Sequence, residues 1–353
     1  MSNTNLNKAR REKNDEFYTQ LRDIETEMQA YLDYDPDVFR GKTLLLPCDD
    51  PTWSNFTKYF AERFESLGLK KLISTSYTVD GGHGKVFVLD GENELRWEYL
   101  QGDGDFRSAE VTALRDEADM VITNPPFSLF REFMSWLKEG DVLFSVIGNM
   151  NAITYKEIFP LIKDNKIWIG ATNFNTGMYF RVPDSFEYAS SYRFDRERDG
   201  VKVSRVPGVC WFTNIEHGRR HEPLRLMTQA DNEASNKRII NNDNSYKKYD
   251  NYDAIEVPVT AGIPNDYEDV MGVPISFLDK YCPEQFEILD INPHFYSLVA
   301  EGHPKPKQLS LKSHGATKAP YARILIRHIN PVVQLAQVHT LGTATPEPQQ
   351  MAA

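Results

Sequence analysis

The sequence predicts an α/β fold, a largely parallel sheet covered by helices on both faces, and three observations carry that expectation. Short apolar runs alternate with helical patterns between residues 42 and 147. The runs are continuous blocks and not apolar-polar alternations, as strands buried on both faces require. Of the 353 residues, 41% are hydrophobic, enough for a sizeable core.

The first element is an amphipathic helix within the opening 35 residues, where Phe17, Leu21, Ile24, Met28, Tyr31 and Leu32 fall at helical spacing. It stops before Pro36, because proline restricts the residue that precedes it. Residues 42–46 then read as a buried strand, 53–67 as a helix and 71–77 as the next strand. Arms at 86–89 and 95–99, bounded by Gly81, Gly82, Gly84 and Gly91, predict a hairpin inserted on the core. Beyond it lie a short helix at 111–117, a buried strand at 120–123, a helix at 130–138 and a buried strand at 142–147. Residues 166–170, 178–181 and 209–213 supply later strands with antiparallel pairing. The Asn-rich stretch 229–253 reads as a linker or surface loop. The chain from 254 onward is proline-rich and irregular, and the tail from 343 is expected to be disordered.

Composition narrows the function classes. No window approaches the roughly 18 apolar residues of a membrane helix and no signal-peptide core is present, so a soluble, cytoplasmic protein is expected. Cys48, Cys210 and Cys282 are scattered and odd in number, which supports neither a disulfide scaffold nor a metal site. A net charge of -11 argues against nonspecific coating of nucleic acid, where Lys and Arg must displace counterions. Locally the balance reverses. Residues 302–330 hold Lys305, Lys307, Lys312, Lys318, Arg323 and Arg327 with no acidic residue among them, and Arg219, Arg220 and Arg225 form a second knot. Either cluster could equally be solvated surface.

The residues that point to chemistry are Asn124, Pro125, Pro126 and Phe127, directly after the strand at 119–123. In an open parallel sheet, ligands bind beyond the carboxyl ends of the strands. As punctuation alone the tetrapeptide is a rigid turn. Its place between a buried strand and a helix favours more: two prolines fix the backbone and leave the Pro125 carbonyl free to accept, Asn124 adds a side-chain acceptor, and Phe127 offers a flat apolar face. Such a group suits an exocyclic amine, whose two hydrogens it would hold while positive charge develops on nitrogen. A base inside a duplex would first have to be rotated out, and stacking on an aromatic ring returns about 1–3 kcal/mol of that cost.

This loop resembles the Asn/Asp-Pro-Pro-Tyr/Phe motif of the amino-methylating DNA methyltransferases, and the EcoRI-type adenine-specific enzymes in particular. The resemblance extends to KNDEFYTQ (13–20), CDDPTWSNFTKYF (48–60), NPPFSLFREF (124–133), YDNYDAIEV (249–257) and MGVPISFLDKYCPEQFEIL (271–289). It implies a Rossmann-like fold with a mixed seven-stranded sheet, S-adenosylmethionine as cofactor, double-stranded DNA as partner, and adenine N6 as the methylated atom. It implies a catalytic domain over 1–228, the linker at 229–253, a target-recognition region at 254–342 and the tail at 343–353. A restriction endonuclease acting on the same site would be a partner, or the enzyme would act alone, as a monomer and without a metal.

Residue by residue, the resemblance makes Asn124, Pro125, Pro126 and Phe127 the catalytic loop. It sets Tyr18 and Thr19 beside the methionine part of the cofactor, Pro47, Asp49 and Asp50 on the cofactor turn, and Asp105 near the cofactor's adenine or the target amine. Lys305, Lys307, Lys312 and Arg323 become the candidates for DNA phosphate contact. One departure is marked: the cofactor turn has no glycine between Gly41 and Gly68, so Asp49 or Asp50 would have to engage the methionine ammonium. The second core strand ends without an acid for the ribose, Asp80 being the nearest. Three alternatives remain on the amine, namely cytosine N4, RNA adenine and protein glutamine. A noncatalytic DNA-binding or anti-restriction protein with the same fold is a further one. The histidines at 217 and 221 read as surface or capping residues, and Cys48 as a small buried filler in preference to a residue near the cofactor.

Overall fold

The computed structural model describes residues 18–78, 81–91, 95–174, 176–182, 196–198, 200–240, 245–313 and 316–331. The expectations for Phe17, Asp80 and the tail lie outside them.

A two-residue strand β1 (Tyr18–Thr19) leads into helix α1 (Leu21–Tyr34), which buries Ile24, Met28 and Tyr31 on one face. Strand β2 (Thr43–Leu46) follows, then α2 (Asn55–Glu62), α3 (Phe64–Leu67) and β3 (Lys71–Thr75). Ser54 starts α2 by accepting from Phe56 N at 3.1 Å, and Gly68 ends α3 in the left-handed conformation that glycine adopts without steric cost. Next come β4 (Lys85–Asp90), β5 (Leu95–Tyr99), α4 (Ala109–Glu117), β6 (Met120–Thr123), α5 (Phe130–Gly140), β7 (Leu143–Asn149), α6 (Phe159–Lys163) and β8 (Trp168–Ile169). Four more strands, β9 (Met178–Arg181), β10 (Arg196–Arg198), β11 (Val201–Val206) and β12 (Val209–Thr213), close this part.

The central sheet has the order β5-β4-β3-β2-β6-β7-β12-β8, with β3, β2, β6 and β7 parallel and the flanking pairs antiparallel. It has eight strands where the resemblance implied seven. The hairpin read as an insertion is the reason on one edge: β4 pairs with β3 from Lys71 to Thr75 and extends the sheet. An antiparallel neighbour needs only a tight turn, so a short hairpin can join the core directly. The strand expected at 178–181 does not join this sheet; β9 lies in a second one of order β1-β9-β11-β10.

Adjacent residues of the parallel strands face opposite ways, which is how both faces come to be covered. Leu45, Ile73, Val121, Phe144 and Val146 pack with Val111, Phe133 and Leu137 of α4 and α5. Leu44, Leu46, Leu72, Met120 and Ile122 pack with Ile24, Met28, Phe56 and Phe60 of α1 and α2.

The stretch read as a linker carries two short helices, α7 (Gln229–Ser235) and α8 (Lys237–Ile240), with Asn232, Ile239, Tyr246 and Tyr249 buried. A Thr228 cap, accepting from Asp231 N at 3.1 Å, starts α7 in a composition too polar to show a periodic face. The region read as irregular contains β13 (Ile255–Glu256), β14 (Met271–Pro274), β15 (Phe286–Asn292), α9 (Tyr296–Ala300), β16 (Leu311–Ser313), β17 (Ala316–Lys318) and β18 (Arg323–His328). Four of these strands form a sheet of order β13-β14-β18-β15. Its Ile255, Val273, Ile288 and Ile324 belong to the same apolar cluster as α4 and α5. No helix among the described residues is long and apolar enough to cross a membrane.

Candidate active site

Three parallel strands end on the same edge of the sheet, β2 at Leu46, β3 at Thr75 and β6 at Thr123. The loop after each lines one cavity of about 430 Å³. Pro47, Cys48, Asp49 and Asp50 come from the first, Ser76 and Tyr77 from the second, and Asn124, Pro125, Pro126 and Phe127 from the third. Tyr18 and Thr19 of β1 and the segment from Gly104 to Arg107 complete the walls. Every residue expected at the catalytic loop or the cofactor site therefore borders the same space.

The turn without glycine is fastened through Asp49. Its backbone N–H donates to Thr75 O at 3.0 Å, while its carboxyl accepts from Ser54 Oγ at 2.7 Å and Thr123 Oγ1 at 2.6 Å. Burial pushes this carboxyl up to about 7, against the opposing pull of those two hydroxyls. Asp50 behaves oppositely. Partial burial resists its ionisation, but hydrogen bonds from Thr52 and Lys85 hold it below the usual carboxylate range, with Lys85 Nζ at 2.9 Å. Asp105 is gripped by Arg107 through contacts of 2.9 and 2.5 Å, which also keeps it ionised. The loop bearing it turns at Gly104, where φ is +84° and an added Cβ would collide with Ser76 O.

Tyr18 meets Trp53 edge-on with ring centroids 4.2 Å apart, and Phe127 meets Phe180 of β9 in the same manner at 6.5 Å. Asn55 Nδ2 donates to Thr19 O at 2.7 Å and anchors β1 to α2. The Thr19 hydroxyl oxygen is buried on the cavity wall and has no hydrogen-bond partner among the described residues, which leaves it suited to a polar ligand. Sequence reasoning missed Trp53, Ser54, Tyr77 and Arg107; Cys48, for which a buried filler was preferred over a place near the cofactor, lines the cavity. Trp53 and Ser54 lie inside the stretch 48–60 already singled out, so proximity to Asp49 was the available signal.

The basic residues divide. Lys305, Lys307 and Lys312 are exposed on the carboxyl-terminal region, outside the cavity. Arg323 is not available to a phosphate: Glu256 pairs with it at 2.6 Å, the two side chains only 14% and 6% exposed, and Tyr249 donates to the same carboxylate. In the second knot Arg220 is buried 3.9 Å from the centre of the Trp168 ring and Arg219 pairs with Asp279 at 2.8 Å. His217, expected as a surface or capping residue, is buried at the N-cap of the turn Gly218–His221, with Nε2 3.0 Å from Ile169 O.

The family described as "Adenine-specific methyltransferase EcoRI" matches residues 5–329. The chain belongs to that family. It is similar to the type II methyltransferase M.EcoRI of Escherichia coli, at 42% identity over 93% of this chain and 97% of the relative. The type II methyltransferase M.MpnI of Mycoplasma pneumoniae is 38% identical over 82% of this chain and 86% of its own length. M.MgeORF184P of Mycoplasma genitalium is 35% identical over 91% and 98%. No solved structure gives a significant match. As a member of the EcoRI methyltransferase family, this chain is an enzyme whose motif loop opens into a cavity large enough for small molecules, roughly 300–1,000 Å³ in general.

Proposed function

We propose that the enzyme methylates N6 of adenine at a specific site in double-stranded DNA, with S-adenosylmethionine as donor and the target base turned out of the duplex. The observation that supports this reading is the shared cavity in which Asn124 to Phe127 face β1 and the Asp49 turn. One loop suits an amine and the other walls suit a charged, partly aromatic cofactor, within reach of each other.

The residues present fit that cofactor. Asp49 offers the negative charge for a methionine ammonium, because Asp50 is already neutralised by Lys85. Thr19 offers a buried hydroxyl without a partner among the described residues, and Tyr18, Trp53 and Tyr77 offer aromatic faces. When bound, S-adenosylmethionine supplies an electrophilic methyl on a sulfonium. The protein's task is the amine. The Pro125 carbonyl and the Asn124 side chain accept its two hydrogens and stabilise the charge that develops on nitrogen, so no strong base is needed. Phe127 holds the base by its face and is itself braced by Phe180.

Labelled donor offered in parallel with duplex DNA, RNA and protein tests the reading. Label on adenine N6 of DNA is expected. Label confined to cytosine, RNA or protein would replace the substrate, and failure to bind the donor in calorimetry would leave a noncatalytic DNA binder. Sequencing of modified bases in cells expressing the chain would give the recognition site, and with it any matching restriction enzyme.

A further inference from the structure

With a net charge of -11, a chain that acts on DNA must grip phosphate through local cations. Around the cavity most cations are neutralised internally, Lys85 by Asp50 at 2.9 Å and Arg107 by Asp105 at 2.5 Å. Arg131 is not. It lies on the first turn of α5, two residues after Leu129, which still lines the cavity. Its side chain is exposed, its guanidinium carbon sits 3.9 Å from the centre of the Tyr155 ring, and no described carboxylate forms an ion pair with it.

The ledge beneath it is rigid. Tyr155 N donates to Ala152 O at 2.9 Å, and the Tyr155 carbonyl accepts from Ile158 N at 3.1 Å and Phe159 N at 2.9 Å. The neighbouring Thr154 carbonyl accepts from the hydroxyl of Tyr296 at 2.8 Å, which ties the ledge to α9. Tyr296 stacks on His294 with centroids 5.1 Å apart and planes 2° from parallel. His294 is partly buried and feels the charge of Lys305, the start of the basic stretch. The acid on the ledge, Glu157, is 3.7 Å from Lys156.

We propose that Arg131 binds the phosphate flanking the extruded adenine, with Tyr155 holding its guanidinium flat and the Thr154–Tyr296 hydrogen bond fixing the ledge to the carboxyl-terminal region. The assignment rests on the DNA-methylating reading above. A nucleotide rotated out about its own backbone carries its flanking phosphates to the mouth of the pocket. A guanidinium held over a ring keeps its N–H fork, planar by resonance, within a narrow range of orientations, with less freedom left to lose on bidentate contact. Cavity rim, cation and carboxyl-terminal region thus lie on one continuous path of contacts.

Arg131→Gln is the test, with the full-length enzyme and a methylatable duplex. DNA binding measured against salt should lose about one unit of slope in log K against log salt, and KM for DNA should rise about tenfold. Cofactor affinity and melting temperature should stay as in the wild type. Arg131→Lys should recover the slope but only part of the affinity, and Tyr155→Leu should raise KM while keeping the slope. A wild-type slope and KM in Arg131→Gln overturn the assignment while leaving DNA methylation intact. A wild-type enzyme that methylates no DNA removes the functional reading first, and this assignment with it.

Discussion

Replacing Asp49 by asparagine sets the stability of the fold against the chemistry of its cavity. The Asp49 carboxyl is enclosed and burial raises it from 3.8 to about 7. Between those values the folded chain keeps a proton that the unfolded chain has released, so stability falls as pH rises through that window. At about 1.4 kcal/mol per pH unit, the loss reaches about 4 kcal/mol above pH 7, of which roughly 3 falls between pH 5 and 8. Asparagine has the same shape, can still meet the Ser54 and Thr123 hydroxyls, and does not ionise. Urea unfolding of both proteins without cofactor, at pH 5 and pH 8, should therefore show the variant gaining about 3 kcal/mol on the wild type. Calorimetry should show the reverse for function: wild-type affinity for S-adenosylmethionine climbing from pH 6 to 8 as the carboxylate forms, and a weak, flat profile in the variant. The reasoning is refuted if the stability difference between the two proteins is the same at both pH values.

Other perturbations separate the remaining roles. Asn124→Ala should lower kcat by about 100-fold or more while cofactor and DNA affinities hold, and a wild-type kcat would dismiss the amine-holding role. Arg323→Leu strands the Glu256 carboxylate in a nearly closed site, so urea unfolding should show a loss of about 3 kcal/mol with no change in the salt dependence of DNA binding. A reduced salt slope in a normally stable Arg323→Leu protein would reinstate it as a phosphate contact. Converting Lys305, Lys307 and Lys312 together to glutamine should reduce that slope by about three while calorimetric cofactor binding is unaffected, whereas an unchanged slope would make these lysines ordinary surface.

How much of the site was legible in the sequence depended on how local each signal was. The loop from Asn124 to Phe127 announced itself because strand, rigid corner and helix are contiguous, and β6 ends at Thr123 as the apolar run requires. Asp49 and Asp50 could be named but not told apart, since the difference between them is Lys85 on a neighbouring hairpin. The carboxyl-terminal sheet escaped notice because β13 has two residues and β14 ends on a proline, too little for an alternating pattern to emerge. The ion pair of Arg323 was hidden for a related reason: Glu256, which neutralises it, is remote in sequence, and only the pairing of β18 with β14 and of β14 with β13 brings the two together.

The short β1 has a consequence for how the enzyme is made. Tyr18 and Thr19 leave the ribosome early, but the backbone they pair with, at Arg181 and Phe180, is synthesised much later. Until then the cavity wall formed by Tyr18 and Thr19 has Trp53 and Asn55 to hold it but no strand partner. The wall whose residues are synthesised first is thus the last to be fastened by strand pairing.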